Sequence, residues 1–383
     1  MNAPLRIVCA TSLAGGAEAF QTLGEVEMVA EKDITSAVVR DADILVTRSK
    51  VRVDDQLLEG SRLRFYGTAT AGYDHVDVAA LERRGIAWTQ APGSNANSVA
   101  EYVIATLAWL GLQRQVDWTG KTMAIIGAGH VGGRLAVLAR AFGLRVLLND
   151  PPRRAATGDE RYLPLHEAIR DADIVTLHVP LTDDGPCPTR GMADANFFAL
   201  MRPGAVLINS SRGEVVSEPA MADAVRSGRF SAVMLDVFDH EPDISIATLC
   251  QADLATPHIA GYSLDARLRG TEMVYQAACR HVGVAPVWTL PPGMPAASLP
   301  REPIRDVMAM YDFILSAYNP GEDDRRLRSL PVGIRMADHF QDLRRHYPER
   351  REFRHVDLSS PGSLPELRRC IELLGFIVHP VPS

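Results

Sequence analysis

The sequence predicts an α/β protein of two Rossmann-like, doubly wound parallel-sheet domains followed by a smaller α+β domain. Three observations carry this. Its 383 residues exceed what one compact core holds, so more than one domain follows. Short apolar runs alternate with amphipathic stretches, twice over, on either side of one long apolar segment; that is the pattern of parallel strands joined by crossover helices. Beyond residue 283 the alternation gives way to a proline-rich segment and a different mix of elements.

In the first run, residues 7–10, 44–47, 64–68 and 86–89 are apolar stretches of strand length. Residues 97–112 predict a mostly apolar helix buried on most sides, with Ser94 or Asn95 placed to cap its start. The second run opens at Gly120. A strand over 123–126 leads into a glycine turn and a helix over 131–142, and a strand over 145–149 follows. Further strands are expected at 174–178, 205–209 and 232–236, and the domain ends near Pro257. Proline and small residues over 285–300 predict a linker or extended crossing segment. Helical patterns over 305–317, 335–346 and 364–374, with strands at 353–358 and 376–379, make the last region α+β.

Apolar residues at 46% and charged residues at 23% are ordinary globular composition, and a formal charge of -7 argues against a general nucleic-acid binder, which needs a basic stripe. Cys9, Cys187, Cys250, Cys279 and Cys370 are scattered without a CxxC pair, so reduced buried thiols are expected rather than a zinc site or a disulfide framework. The N-terminal stretch has no charged region ahead of a long apolar core, and no window is apolar enough to span a membrane. A cytoplasmic protein with no metal and no membrane partner is the expectation.

Gly127-Ala128-Gly129-His130-Val131-Gly132 is a GxGxxG between a predicted strand and a predicted helix. Gly127 permits the tight turn, Gly129 lets a pyrophosphate approach the backbone, and Gly132 lets helix and strand pack closely. The helix start then offers unpaired N–H groups to phosphate. Asp150, at the end of the next strand, suits the two adenosine ribose hydroxyls and repels a 2′-phosphate, which favours NAD over NADP; Arg153 and Arg154 just behind it are the opposing signal. His130, inside the loop, carries no catalytic expectation, although it is counted with Val131 among the cofactor contacts.

Hydride transfer from a 2-hydroxy acid needs a base for the hydroxyl proton, a cation for the carboxylate and a neighbour that orients the base. Three candidates follow successive predicted strands. Arg212, in Asn209-Ser210-Ser211-Arg212-Gly213, has a guanidinium fork that fits a carboxylate. Glu241 follows the strand at 232–236, and His258 lies in Thr256-Pro257-His258-Ile259-Ala260-Gly261. A histidine beside a carboxylate shuttles a proton near neutral pH. His240 is a rival base next to Glu241.

Together these motifs resemble the D-isomer-specific 2-hydroxyacid dehydrogenases, and the order and spacing agree along the chain. The resemblance implies that Arg212 binds the substrate carboxylate, that Glu241 pairs with His258, and that His258 is the acid/base; His240 has no counterpart role. It also implies a flavodoxin-like substrate domain over 1–95 and 259–283, an NAD-binding Rossmann domain over 96–258, and a C-terminal dimerisation domain over 284–383. Ser210, Ser211, Asp236 and Gly261 are expected on the nicotinamide side, with Val179 near the cofactor.

Within the family the likeness is to members that act on a phosphorylated substrate. It rests on the substrate-loop segment from Ala69 to Asp77, Asp150-Pro151-Pro152-Arg153, Tyr262 just after the histidine motif, and the run from Glu349 to Phe353. It implies substrate contacts at Ser49, Thr70 and Tyr262, and oxidation of 4-phospho-D-erythronate at C2 in pyridoxal 5′-phosphate biosynthesis by a homodimer. Arg48, and Arg350 or Arg351 from a partner subunit, are the cations expected at the distal phosphate. Two rival readings stand beside this one: the same chemistry on 3-phosphoglycerate or a small unphosphorylated acid, and a non-enzymatic NAD(H)-sensing binding protein. Lys50-Val51-Arg52 after Ser49 and Asp239-His240 before Glu241 depart from the family pattern.

Overall fold

The computed structural model describes residues 4–290, 297–300, 302–359 and 363–378. It divides into two compact units, 1–95 with 263–293 and 96–262 with 294–383.

In the first unit, β1 (Leu5–Ala10), β2 (Gly24–Val29), β3 (Ile44–Thr47), β4 (Phe65–Thr68) and β5 (Ala87–Thr89) form one sheet in the order β2-β1-β3-β4-β5. All its pairs are parallel. Strand β2 was not expected from sequence. It is an edge strand, GEVEMV, with mostly half-buried or exposed positions, so it lacks the continuous apolar run that marks its neighbours. The helix Leu264–Val282 returns to this sheet, and Val274 and Tyr275 join Ile7, Phe20 and Phe65 in its core. A Cβ on Gly67 would stand 2.2 Å from the Val274 side chain, so only glycine in β4 lets this helix lie so close.

The second unit holds β6 (Thr122–Ile126), β7 (Arg145–Asn149), β8 (Ile174–Leu177), β9 (Ala205–Asn209), β10 (Phe230–Leu235) and β11 (Leu254–Ala255). Their order is β11-β10-β9-β8-β6-β7, again with parallel pairs. The chain leaves β6 for β7 on one side and returns to β8 on the other, so the strand order reverses there. Open α/β sheets bind ligands at that reversal, outside the carboxyl ends of the strands.

The long helix spans Ala96–Arg114 and is buried along most of its length. Asn95 does not cap it: its Oδ1 is buried without a hydrogen-bond partner. The helix is apolar all round because it is covered twice, by the helix His130–Ala141 and by the helix Val307–Ala317. Val99, Tyr102 and Val103 therefore share one core with Leu135 and Leu138 and with Tyr311, Phe313, Phe353 and Phe376. The sequence sets 284–383 apart; in packing, residues 294–383 group with 96–262, and 284–293 group with the first unit.

The end of the expected linker is a strand, β12 (Ala297–Pro300), which pairs with β13 (Val356–Ser359), and β14 (Ile377–Val378) completes a three-stranded parallel sheet. His379, expected in the last strand, lies outside the described residues. Residues 353–355, expected as strand, form a 3-10 turn. The helix Pro320–Arg328 was also unexpected. Its sequence, PGEDDRRLR, has no apolar stripe, and buried polar contacts hold it instead. Asn319 caps it at 3.0 Å, Asp323 accepts from the Tyr318 and Tyr347 hydroxyls, and Asp324 accepts from the Ala255 N–H at 2.7 Å.

The cysteines are all free, but they are not uniformly buried: Cys187 and Cys250 are exposed. Among the described residues no helix is long and apolar enough to cross a membrane, and no cluster of His, Cys, Asp and Glu is arranged to hold a metal ion.

Candidate active site

The glycine loop leaves the end of β6 at the strand reversal. Gly127 has φ +89, and a Cβ there would lie 2.6 Å from the His178 carbonyl oxygen, so the turn requires glycine. At Gly132 a Cβ would fall 1.9 Å from the Gly127 oxygen, which closes the helix start against the strand. At Gly129 nothing lies within 4 Å of such a Cβ. That open face, at the start of the 12-residue helix His130–Ala141, leaves room for an anion to approach the backbone N–H groups. His130 is exposed, and Val131 is partly buried against the core.

Asp150 follows β7. Its carboxylate accepts from the Ala128 N–H at 2.9 Å and from the Arg153 N–H at 3.0 Å, which ties the glycine loop to the end of the next strand. Val179 follows β8, with Cγ1 placed 2.9 Å from the position of a Gly127 Cβ. The three-glycine cradle, the acid at the strand end and the open phosphate face fit a dinucleotide.

Asn209 ends β9 and shapes the next loop. Its Oδ1 accepts from the Ser211 N–H and hydroxyl, and its Nδ2 donates to the Arg212 carbonyl at 2.8 Å. Ser210 Oγ is buried with no partner among the described residues. Arg212 is half-buried in extended backbone, with Nη1 donating to the Ser211 carbonyl. Gly213 then meets the loop after β10 so closely that a Cβ would lie 1.9 Å from the Phe238 carbonyl carbon. The Arg212 loop and the Glu241 loop are thereby locked together.

Asp236, at the end of β10, is 1% exposed. Its carboxylate accepts from the Thr256 hydroxyl at 2.6 Å and from the N–H groups of Ile259 and Ala260 at 2.8 and 2.9 Å. Burial pushes its carboxyl up to about 6. Its backbone carbonyl accepts from the His258 N–H at 2.7 Å. Asp236 is thus the clamp of the histidine loop. The long helix adds to the clamp, because the Tyr102 hydroxyl lies 2.8 Å from the Thr256 hydroxyl.

His258 Nδ1 lies 2.7 Å from Glu241 Oε2, and Glu241 Oε1 accepts from the Phe238 N–H at 3.0 Å. Burial works to raise the Glu241 carboxyl, but the charge of His258, the hydrogen bond between them and the charge of Arg344 outweigh it and hold the group below its ordinary value. With Nδ1 turned to the carboxylate, Nε2 is left as the proton acceptor. His240 is exposed and sits beside Asp239, away from this pairing. Gly261 and Tyr262 follow directly, and the Tyr262 hydroxyl accepts from Arg344 Nη2 at 2.9 Å.

In the first unit, Arg48 and Ser49 follow β3 and Thr70 follows β4, at the carboxyl edge of that sheet. Thr70 Oγ1 lies 2.7 Å from Thr68 Oγ1 and donates to the Gly72 carbonyl. Arg350 departs from expectation. It is 6% exposed, donates to the Ser98 and Ala260 carbonyls of its own chain at 3.0 and 2.7 Å, and stacks 4.2 Å from the Tyr318 ring. The contacts that the structure shows for Arg350 are all within its own chain.

Two polar residues were not singled out from sequence. Glu218 accepts from the Asp239 N–H and the Thr248 hydroxyl and so steadies the loop that carries Glu241. Arg344 meets Tyr262. Neither belongs to a motif, and only tertiary packing brings them in.

Residues 100–260 match the family model for the D-isomer specific 2-hydroxyacid dehydrogenase, NAD binding domain. Erythronate-4-phosphate dehydrogenase of Azotobacter vinelandii is 41% identical over 93% of this chain and 95% of its own length. The chain belongs to the erythronate-4-phosphate dehydrogenase family. The enzyme of the same name from Marinobacter nauticus is also 41% identical, over 93% of this chain and 95% of its own. Residues 296–372 match a domain of unknown function (DUF3410). Among solved structures, the TT0316 protein of Thermus thermophilus aligns with TM-score 0.63 at 26% identity, covering 74% of this chain and 99% of that one. The D-lactate dehydrogenase of Aquifex aeolicus, complexed with NAD and lactic acid, aligns with TM-score 0.61 at 24% identity over 72% of this chain and 95% of its own; at that identity the likeness is one of fold. NAD is the cofactor of the family, and the matched NAD-binding domain, residues 100–260, contains the glycine loop and Asp150.

Proposed function

We propose that the chain oxidises 4-phospho-D-erythronate at C2 to 2-oxo-3-hydroxy-4-phosphobutanoate, with NAD as oxidant, in pyridoxal 5′-phosphate biosynthesis. The observation that carries this is the His258–Glu241 pair at 2.7 Å, beside the loop that presents Arg212, in a chain 41% identical to enzymes named for that substrate.

Bound NAD supplies the acceptor for the hydride that leaves C2. The residues of the chain do the rest. Arg212 clamps the substrate carboxylate with its guanidinium and so aligns C2. His258 Nε2 takes the hydroxyl proton as the carbonyl forms, and Glu241 stabilises the resulting imidazolium while holding the ring in one orientation. Gly127, Gly129, His130, Val131, Gly132, Asp150 and Val179 bind the cofactor. Ser210, Ser211, Arg212, Asp236 and Gly261 complete the nicotinamide side, Asp236 through the loop it clamps. Ser49, Thr70, Tyr262 and Arg48 contact the substrate. We further place the enzyme in the cytoplasm as a homodimer joined through residues 284–383.

The test is NAD reduction followed by absorbance, with 4-phospho-D-erythronate and 3-phospho-D-glycerate offered side by side, and a separate control in which a 2-oxo acid acceptor turns bound NADH over and its reduction product is measured. Preference for the erythronate phosphate, lost in His258→Ala, is the expected result. Preference for phosphoglycerate overturns the substrate and keeps the mechanism. Absence of turnover with either overturns the enzyme reading in favour of an NAD(H)-sensing protein.

A further inference from the structure

Arg344 lies on the helix Met336–Arg345, more than eighty residues beyond the His258 loop. Its guanidinium donates to the Tyr262 hydroxyl at 2.9 Å and stands 5.4 Å from the centre of the Tyr262 ring. Its Nε is buried and has no hydrogen-bond partner, and the residue is half-buried. Glu241 feels its charge only through space. Among the described residues no carboxylate forms an ion pair with it, whereas its neighbour Arg345 reaches Asp342 at 3.8 Å.

A half-buried guanidinium with an unused donor and no carboxylate bonded to it is costly to keep unless an anion completes it. Tyr262 follows the His258 loop directly, so the cation stands beside the proposed chemistry rather than on a remote face. The fork has more N–H groups than Tyr262 can take, and a tetrahedral dianion accepts several at once. A phenol that already accepts from an arginine is also a stronger donor through its own O–H.

Resting on the proposed function, we infer that Arg344, together with Tyr262, binds the terminal phosphate of the substrate and sets the preference for a phosphorylated over an unphosphorylated D-2-hydroxy acid. The C-terminal region then contributes a specificity residue in its own protomer. Arg344 does not take part in the proton or hydride transfer, so its loss acts through substrate affinity.

The experiment compares kcat/KM for 4-phospho-D-erythronate and for D-erythronate in the wild type, Arg344→Gln and Arg344→Lys. In Arg344→Gln the ratio of the two falls about 30-fold, carried by KM for the phosphorylated acid, as loss of a charged hydrogen-bond donor predicts. Arg344→Lys recovers part of that ratio, because the charge remains while the fork geometry is lost. The inference is overturned if both substrates decline together in Arg344→Gln with kcat carrying the loss, the mark of a positioning role, or if the ratio stays at the wild-type value in a folded Arg344→Gln. Should Arg344→Gln not fold, a wild-type ratio in Arg344→Lys overturns it equally. A wild type that prefers D-erythronate overturns the proposed substrate itself, which separates that failure from this one.

Discussion

His258 adopts φ 54, a left-handed backbone that costs a non-glycine residue on the order of 1–3 kcal/mol. That cost is met by its surroundings: Asp236 takes the His258 N–H on its carbonyl and those of Ile259 and Ala260 on its carboxylate. The ring then meets Glu241, whose other oxygen is pinned by the Phe238 N–H. The imidazole is therefore set before substrate arrives, and replacing it should cost rate rather than affinity. His258→Asn is expected to lower kcat by about 10²–10⁴ with KM for the substrate nearly unchanged, read from steady-state kinetics. Asp150 is the residue proposed to take the ribose hydroxyls, besides accepting from the Ala128 N–H. Asp150→Ala is expected to raise KM for NAD by at least about tenfold and to narrow the preference over NADP, because the ribose acceptor and the charge that repels a 2′-phosphate go together.

The loops after β9 and β10 have to fit each other before either can serve the site. Gly213 is the point of closest approach, and any side chain there collides with the backbone of Phe238 and Asp239 rather than with a flexible group. Gly213→Ala is expected to lower stability by at least about 2 kcal/mol and to depress kcat/KM, measured by urea unfolding and by NAD reduction. Such elements were legible where local chemistry fixes them. The turn at Gly127 and the three loops carrying Arg212, Glu241 and His258 each follow an apolar parallel strand, and each sits in a motif with its own stereochemical reason. What was not legible rests on tertiary partners. Strand β2 is half-exposed at an edge, and the helix Pro320–Arg328 is held by buried carboxylates instead of an apolar stripe, so neither leaves a periodic signal. Arg344 reads in the sequence as one of many arginines, and only the fold sets it against Tyr262.

Within the second unit, the start of the long helix and the stretch 350–353 meet through buried ionisable groups. Glu101 Oε1 accepts from the Phe353 N–H at 3.0 Å and from Asn97 at 2.7 Å, while Ser98 donates to Glu352 at 2.9 Å. Burial, with the charge of Glu352 added, raises the Glu101 carboxyl to about 8. A carboxyl raised above its unfolded value binds its proton more tightly in the folded state. Its contribution to stability is complete below the unfolded value of 4.5 and is lost as pH rises through about 8. Denaturant midpoints should therefore decline between about pH 4.5 and about 8 and level off above that, and Glu101→Gln should flatten that slope. A slope identical in the variant would assign the decline to another group.

Arg350 has a consequence for when the enzyme becomes competent. Its guanidinium grips the carbonyls of Ser98 and Ala260, one at the head of the long helix and one in the loop of the acid/base histidine. Chains fold as they are synthesised, N-terminal parts first. Every residue proposed for the proton and hydride transfer precedes Arg350 in the chain, and Arg350 adds a late hold on the Ala260 carbonyl to the clamp that Asp236 already provides. A chain stopped short of residue 350 thus carries the full set of reacting groups and the Asp236 clamp, but lacks the bond that joins the histidine loop to the head of the long helix.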